Sequence, residues 1–131
     1  MSYLLDTDVC VGLLSGRDRE LKQRYLAVSP RELFLCSVVK AELLFGARNS
    51  AKVERNLRRL DQFWEPLGSL SFDDLAAAHY GEIRATLKRA GTPIGGNDLM
   101  IAAIARANDM TVVTRNQDEF GRVVGLRVDS W

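Results

Sequence analysis

Three carboxylates fall where they could do chemistry: Asp6 in LLDTD, Glu42 in VVKAELLFGA and Asp98 in IGGNDLMIAAIA. Taken alone, Asp98 or its neighbour Asn97 reads as a helix cap, because a side-chain oxygen satisfies free amides at a helix start. Taken together, three carboxylates facing one another in a partly dry pocket repel, so one must hold a proton or a cation must sit among them. Oxygen ligands with no His or Cys set select a hard divalent ion, Mg2+ or Mn2+, over zinc. An ion on two or three carboxylates keeps open positions that phosphate oxygens fill, and it can lower the pKa of a water and stabilise charge during an in-line displacement. Phosphodiester hydrolysis suits that set, and no Ser-His or Cys-His pair offers a protein nucleophile. The single His79 lies mid-helix, where a packing or surface role is expected. Cys10 and Cys36 sit in apolar surroundings without C-x-x-C spacing and read as two buried free thiols.

The elements that must position these acids alternate. SYLLD at 2–6 is a short apolar run ending in an acid, and VCVGLLSG follows it as a helix with Thr7 or Asp8 available as N-cap. ELFLCS at 32–37 reads as a buried strand, and VVKAELLFGAR continues as a helix through Val38, Ala41, Leu44 and Phe45. AKVERNLRRLDQFWEP places Val53, Leu57, Leu60 and Trp64 on one helical stripe with a basic back, and Pro66 stops it. LGSLSF is a strand, and Asp73 caps a helix that ends at Gly91 with Lys88 and Arg89 in its last turn. The run from Leu99 to Ala107 is apolar on all sides and must lie against a sheet or between helices, while Gly95 and Gly96 before it allow a sharp bend or a close backbone approach. MTVVT at 110–114 is a strand, and GLRVDSW adds a last one.

Strand-helix alternation predicts an α/β fold with a parallel sheet covered on both faces, and ligands in such sheets bind off the carboxyl ends of the strands. Asp6 and Thr114 end strands, Glu42 lies about a turn into the helix after ELFLCS, and Asp98 begins the buried helix before TVVT. All four are expected at one end of one sheet.

The 131 residues fit one domain, 1–131, and 47% hydrophobic with 27% charged residues and no low-complexity tract describes a globular protein. A net charge of +1 argues against coating nucleic acid through overall charge. Two basic groups remain, one at Arg48, Lys52, Arg55, Arg58 and Arg59 and one at Arg17, Arg19, Lys22 and Arg24; each is either a solvated helix face or a phosphate-contacting surface. The start MSYLLDTDVCVGLL has no basic leader, and no stretch nears the roughly 20 apolar residues that span a bilayer, so a cytoplasmic protein without membrane contact is expected.

With TRNQDEF and GLRVDSW added, LLDTD, VVKAELLFGA and IGGNDLMIAAIA resemble the PIN-domain ribonucleases of the VapC toxin type, across essentially the whole chain and in the expected order. The resemblance implies a three-layer α/β/α fold with a central, mainly parallel sheet. It also implies Mg2+- or Mn2+-dependent endoribonuclease activity on structured RNA, tRNA prominent, and a cognate VapB-like antitoxin. A homodimer and a toxin-antitoxin hetero-oligomer go with it. Position by position, Asp6, Glu42 and Asp98 match the acidic metal site, with Asp6 and Asp98 on the main metal, and Thr114 matches a hydroxyl position that orders the site. Many members carry an aspartate where this chain has Asn116, and others rely on the acid before the phenylalanine; Glu119 is preferred over Asp118 as the fourth acid. Thr7 and Asn116 are expected to order the site, and Arg55 and Arg59 to guide RNA. D-T-D replaces the usual D-T-N, and Asp8 reads as a helix cap ahead of an outer-sphere acid. The Val53 to Trp64 stripe reads as core, although the family's neighbouring helices form a groove where an antitoxin docks.

Three other readings compete. A non-catalytic PIN-like module would bind RNA or a partner. A receiver-type domain needs a phospho-acceptor Asp ending a central strand and a Lys ending a later one, which neither LSF nor TVVT supplies. A dinucleotide-binding domain lacks its G-x-G-x-x-G after the first strand.

Overall fold

The computed structural model describes residues 1–131. Its five strands are too short to stand alone: β1 (Tyr3–Leu5), β2 (Leu33–Cys36), β3 (Gly68–Leu70), β4 (Thr111–Val113) and β5 (Arg127–Asp129). They pair in parallel in the order β3-β2-β1-β4-β5, with Leu5 opposite Val113 and Leu4 opposite Phe34. Parallel pairing needs crossover helices on the sheet faces, so the central strands are covered on both sides. Leu4, Leu5, Val112 and Val113 are accordingly fully buried on successive positions, a run rather than an alternation.

Seven helices supply the cover: α1 (Thr7–Ser15), α2 (Arg19–Leu26), α3 (Ser37–Arg48), α4 (Val53–Trp64), α5 (Asp74–Ala90), α6 (Gly96–Ala107) and α7 (Gln117–Phe120). The parallel sheet between helical layers is the architecture the sequence predicts. Helix α6 buries Leu99, Ile101, Ala102, Ala103, Ile104 and Ala105, which explains a run with no polar face. It packs along α5, whose start is capped by Asp73 through the Ala76 amide and whose end turns at Gly91 with φ 72°. No helix is long and apolar enough to cross a membrane.

Several local expectations differ from what folds. The N-cap of α1 is Asp6, accepting from the Thr7 amide, rather than Thr7 or Asp8, because β1 ends at Leu5 and the helix begins with no loop between. The N-cap of α6 is Gly95, so neither Asn97 nor Asp98 caps that helix. Gly95 and Gly96 have negative φ and nothing within 4 Å of where a Cβ would stand, so neither conformation nor crowding demands glycine there, while the Gly95 amide does meet a neighbour, the Glu119 carboxylate. The basic group Arg19, Lys22 and Arg24 rides on α2, a helix that fully buries only Leu21. A short 3-10 turn, Pro30–Glu32, delays β2 to Leu33.

His79 is half-buried and accepts from Arg106 Nε at 2.9 Å, a packing role as expected. Cys10 and Cys36 are buried free thiols, and burial pushes both thiol pKa values up, away from thiolate chemistry.

Packing is tightest around one glycine, Gly68. Gly68 pairs with Phe34 across β3 and β2, and a Cβ at Gly68 would meet Phe34 Cδ2 at 2.2 Å. Gly68→Ala is therefore expected to cost about 1–3 kcal/mol in urea unfolding through overpacking, and Phe34→Leu in that background to recover part of the loss. An unchanged midpoint for Gly68→Ala would show that the ring moves aside freely.

Candidate active site

Asp6 sits one residue beyond β1 and is held there by its own amide, which donates to Val113 O on β4 at 2.9 Å. Only 5% of the residue is exposed. A carboxylate this deep needs donors, and it has two: Thr7 N to Oδ1 at 2.8 Å and Thr114 Oγ1 to Oδ2 at 2.7 Å. Thr114 follows β4, is fully buried, and is fixed by its own amide to Asp129 O at 3.0 Å. Its hydroxyl also accepts from Asn116 N at 2.9 Å. Two neighbouring strand ends are thus locked to each other by a buried hydroxyl and a carboxylate.

The other acids are tied to this pair from the helices. Glu42, the sixth residue of α3, accepts from Thr7 Oγ1 at 2.9 Å, so one threonine orders Asp6 with its amide and Glu42 with its side chain. Asp98 lies in the first turn of α6 and accepts from Asn116 Nδ2 at 3.2 Å. The same amide nitrogen donates to Glu119 Oε2 at 2.8 Å, so Asn116 bridges two carboxylates. The structure therefore brings Asp6, Thr7, Glu42, Asp98, Thr114, Asn116 and Glu119 to the carboxyl end of the sheet.

The remaining candidates lie elsewhere. Asp118 points outward and pairs with Arg122 at 2.9 Å, which leaves Glu119 as the acid turned inward. Asp8 is exposed in the first turn of α1 and caps nothing, although its charge reaches Asp6. Arg59 is pinned to the end of α1 by a 2.6 Å bond from Nη2 to Leu14 O, beside a cleft that Thr7 and Glu42 also line. Arg55 stands exposed on α4. The Asn116 bond to Asp98 and the Thr7 bond to Glu42 were not legible in the sequence, because each joins positions far apart in the chain.

The electrostatics follow from crowding. Burial pushes Asp6 above the usual carboxylate range; its two donors pull it back, and the charges of Asp8 and Glu42 push it further up. Burial raises Asp98 to about 7, and the hydrogen bond to Glu119 with the charges of Asp6 and Glu119 adds to it. Glu119 is held low, first by its bond to Asp98 and then by Asn116. Asp98 thus keeps the proton and Glu119 the charge.

No Lys or Arg forms an ion pair with Asp6, Glu42, Asp98 or Glu119. The donors are all oxygens, which fits a hard divalent cation. No three acids close on one point as a ready-made cage. That spacing still fits Mg2+, which takes one or two carboxylates and fills its octahedron with water, and like charges without a counter-ion hold apart. A cleft of about 650 Å3 lined by Thr7, Glu42, Phe45, Asn97 and Met100 gives solvent access to this end of the sheet.

The PIN domain family matches residues 3–126. The chain is 37% identical, over 100% of its length and 98% of theirs, to the proteins named tRNA(fMet)-specific endonuclease VapC in Shigella flexneri and Salmonella typhimurium. Among solved structures it resembles VapBC2 from Rickettsia felis bound to a DNA fragment from the promoter, with TM-score 0.93 and 34% identity over 100% of this chain and 99% of that one. It resembles DNA-bound VapBC from Salmonella typhimurium equally well, with TM-score 0.93 and 37% identity over 100% of this chain and 98% of that one.

The raised carboxyls give a signed pH dependence. Below about 4 folded and unfolded chains both hold the Asp98 proton; between the ordinary 3.8 and about 7 only the folded chain holds it. Deprotonating the folded site then costs stability, so the Asp98 contribution declines as pH rises through that window, with Asp6 acting in the same direction and Glu119 against it. Urea midpoints of the metal-free protein at pH 5 and pH 8 should show a smaller drop for Asp98→Asn than for the wild type. An equal drop would mean that Asp98 does not carry the excess.

Proposed function

This chain belongs to the PIN-domain family, among its VapC-type ribonucleases, and from that premise we propose that it is a divalent-metal-dependent endoribonuclease toxin that hydrolyses phosphodiester bonds in RNA. The observation that carries the reading is the buried Asp6, locked between Thr7 and Thr114, with Glu42, Asp98 and Glu119 gathered round it and no cationic side chain paired with any of them. Structured RNA, tRNA first, is the expected substrate, since two relatives that match over the full chain are named for tRNA(fMet).

Asp6 and Asp98 would hold Mg2+ or Mn2+, with Glu42 and Glu119 completing the acidic pocket. When bound, the ion supplies Lewis-acid polarisation at the scissile phosphate and its attacking water. The chain's own residues set the geometry. Thr114 and the Thr7 amide fix both oxygens of Asp6, the Thr7 hydroxyl aims Glu42, and Asn116 holds Asp98 and Glu119 together. The proton that Asp98 keeps near neutral pH must leave when a cation arrives, which ties metal affinity to pH. Arg55 and Arg59 extend a basic surface from α4 toward the cleft shared with Glu42, and phosphate contacts there add affinity without sequence preference.

A cognate VapB-like antitoxin and a homodimer, acting from residues 1–131 as one domain, complete the reading, and its compartment is the cytoplasm. Relatives solved as VapBC assemblies support the antitoxin. Asn116, in a position where many members carry an acid, favours the second reading of a non-catalytic binding module; the full set of Asp6, Glu42 and Asp98 outweighs it.

Cleavage of total RNA by the purified chain separates the two. Discrete products are expected with Mg2+ or Mn2+, none with EDTA, and none for folded Asp6→Ala or Asp98→Asn. Thr114→Val should lower the rate by about 10–100-fold, as loss of a ligand-orienting bond does. Cleavage that survives EDTA or the two aspartate substitutions would contradict the reading.

A further inference from the structure

Helix α5 carries Tyr80, Arg84 and Lys88 four residues apart, one ridge running roughly 12 Å along the helix. Facing the ridge is the segment Pro93, Ile94 and Gly96 that leads into α6, and the two enclose a cleft of about 680 Å3. Ile94 and Gly96 of its lining flank Gly95, whose amide donates to the Glu119 carboxylate, so one end of the cleft reaches the acidic site from the Glu119 side, while Asp98, two residues on from Gly96, faces another side of α6. Its lining includes two cations and no acid.

Those cations are not spent on the fold. Arg106, Arg115, Arg122 and Arg127 each pair with a carboxylate, whereas Arg84 and Lys88 pair with none and are exposed. Arg84 is nevertheless held in place. Its Nη1 donates to the Tyr80 hydroxyl at 3.0 Å, and its guanidinium lies 5.9 Å from the Tyr80 ring centre. Phe72 fixes the ring from another side by an edge contact at 5.8 Å and 90°. A bare positive cleft would take any anion. A positioned ring and guanidinium plane add flat surfaces on which an unpaired base stacks, and that combination is how proteins hold single-stranded nucleic acid.

We propose that the α5–α6 cleft is the track for the single-stranded RNA that flanks the cut, with Arg84 and Lys88 on phosphates and the Tyr80–Arg84 platform under a base. The proposal rests on the ribonuclease reading for its substrate class. It gives the strand a route to the acidic site past Glu119 that is separate from α4, and it uses residues outside both basic groups of the sequence. The acids repel RNA, so positive charge beside them offsets that repulsion where the strand must come closest.

The test compares the wild type, Arg84→Ala/Lys88→Ala and the charge-keeping Arg84→Lys/Lys88→Arg, all full chain, with thermal melts to confirm folding. Two readouts are needed: RNA binding against salt without metal, and steady-state cleavage with Mg2+. The alanine pair should reduce the slope of log affinity against log salt by roughly 1.4, which is two phosphates at about 0.7 each for a single strand. KM should rise about tenfold with kcat unchanged, and the charge-keeping pair should restore most of both. Wild-type slope and KM in the alanine pair would overturn the proposal. So would unchanged RNA binding together with lost self-association in sedimentation, which would give this face to a second copy of the chain. If the wild type cuts no RNA, the ribonuclease reading falls, and the salt slope alone still decides the cleft.

Discussion

The rest of the site depends on the hydrogen bond that Thr114 donates to Asp6 at 2.7 Å inside the sheet end. A carboxylate with 5% exposure is tolerable only if its oxygens are engaged, and both of its donors come from residues whose backbones are already fixed. The Asp6 amide bonds to β4 and the Thr114 amide to β5, so the parallel register of β1, β4 and β5 decides where the two side chains meet. Each strand has only three residues in the ladder, and the buried bond between their ends extends the pairing one position further with side chains.

Around that anchor the other groups are arranged so that their charges conflict until something positive arrives. Asp98 rises to about 7 and keeps a proton, Glu119 stays ionised, and Asn116 donates to both. Between these two carboxylates the Asn116 amide supplies a donor and relieves part of the repulsion. Perturbed carboxyls that converge without a cationic partner mark a site built for a ligand rather than for stability. Folding energy comes from the buried apolar layers between sheet and helices, and α6 supplies six buried residues while presenting Asp98 at its first turn.

Much of this was legible locally. LLDTD showed a strand ending in an acid, the unbroken apolar run after Asp98 showed a buried helix, and Asp73 and Gly91 marked the ends of α5. Short or polar elements were not. RELKQRYL has one fully buried residue and no apolar stripe, and QDEF is a single turn, too short for any period to register. The α6 cap expected at Asn97 or Asp98 falls at Gly95 because that helix already begins at Gly96. The α1 cap expected at Thr7 or Asp8 falls at Asp6 because β1 runs straight into α1, and that boundary is set by pairing with β4 rather than by the local residues. Long-range bonds were beyond reach for the same reason. Nothing near Asn116 announces Asp98, 18 positions away, and nothing near Thr7 announces Glu42, 35 away. Lys88 looked like a dipole partner at a helix end until the cleft beside α6 gave it a second context.

The measurement that bears most directly on the metal assignment is anomalous scattering from a crystal of the full chain soaked with Mn2+. A strong Mn2+ peak within bonding distance of Asp6 and Asp98, lost in a crystal of folded Asp6→Ala, is the expected result. Mn2+ bound only elsewhere, or an identical peak after Asp6 is removed, would contradict the assignment of these acids as a metal centre.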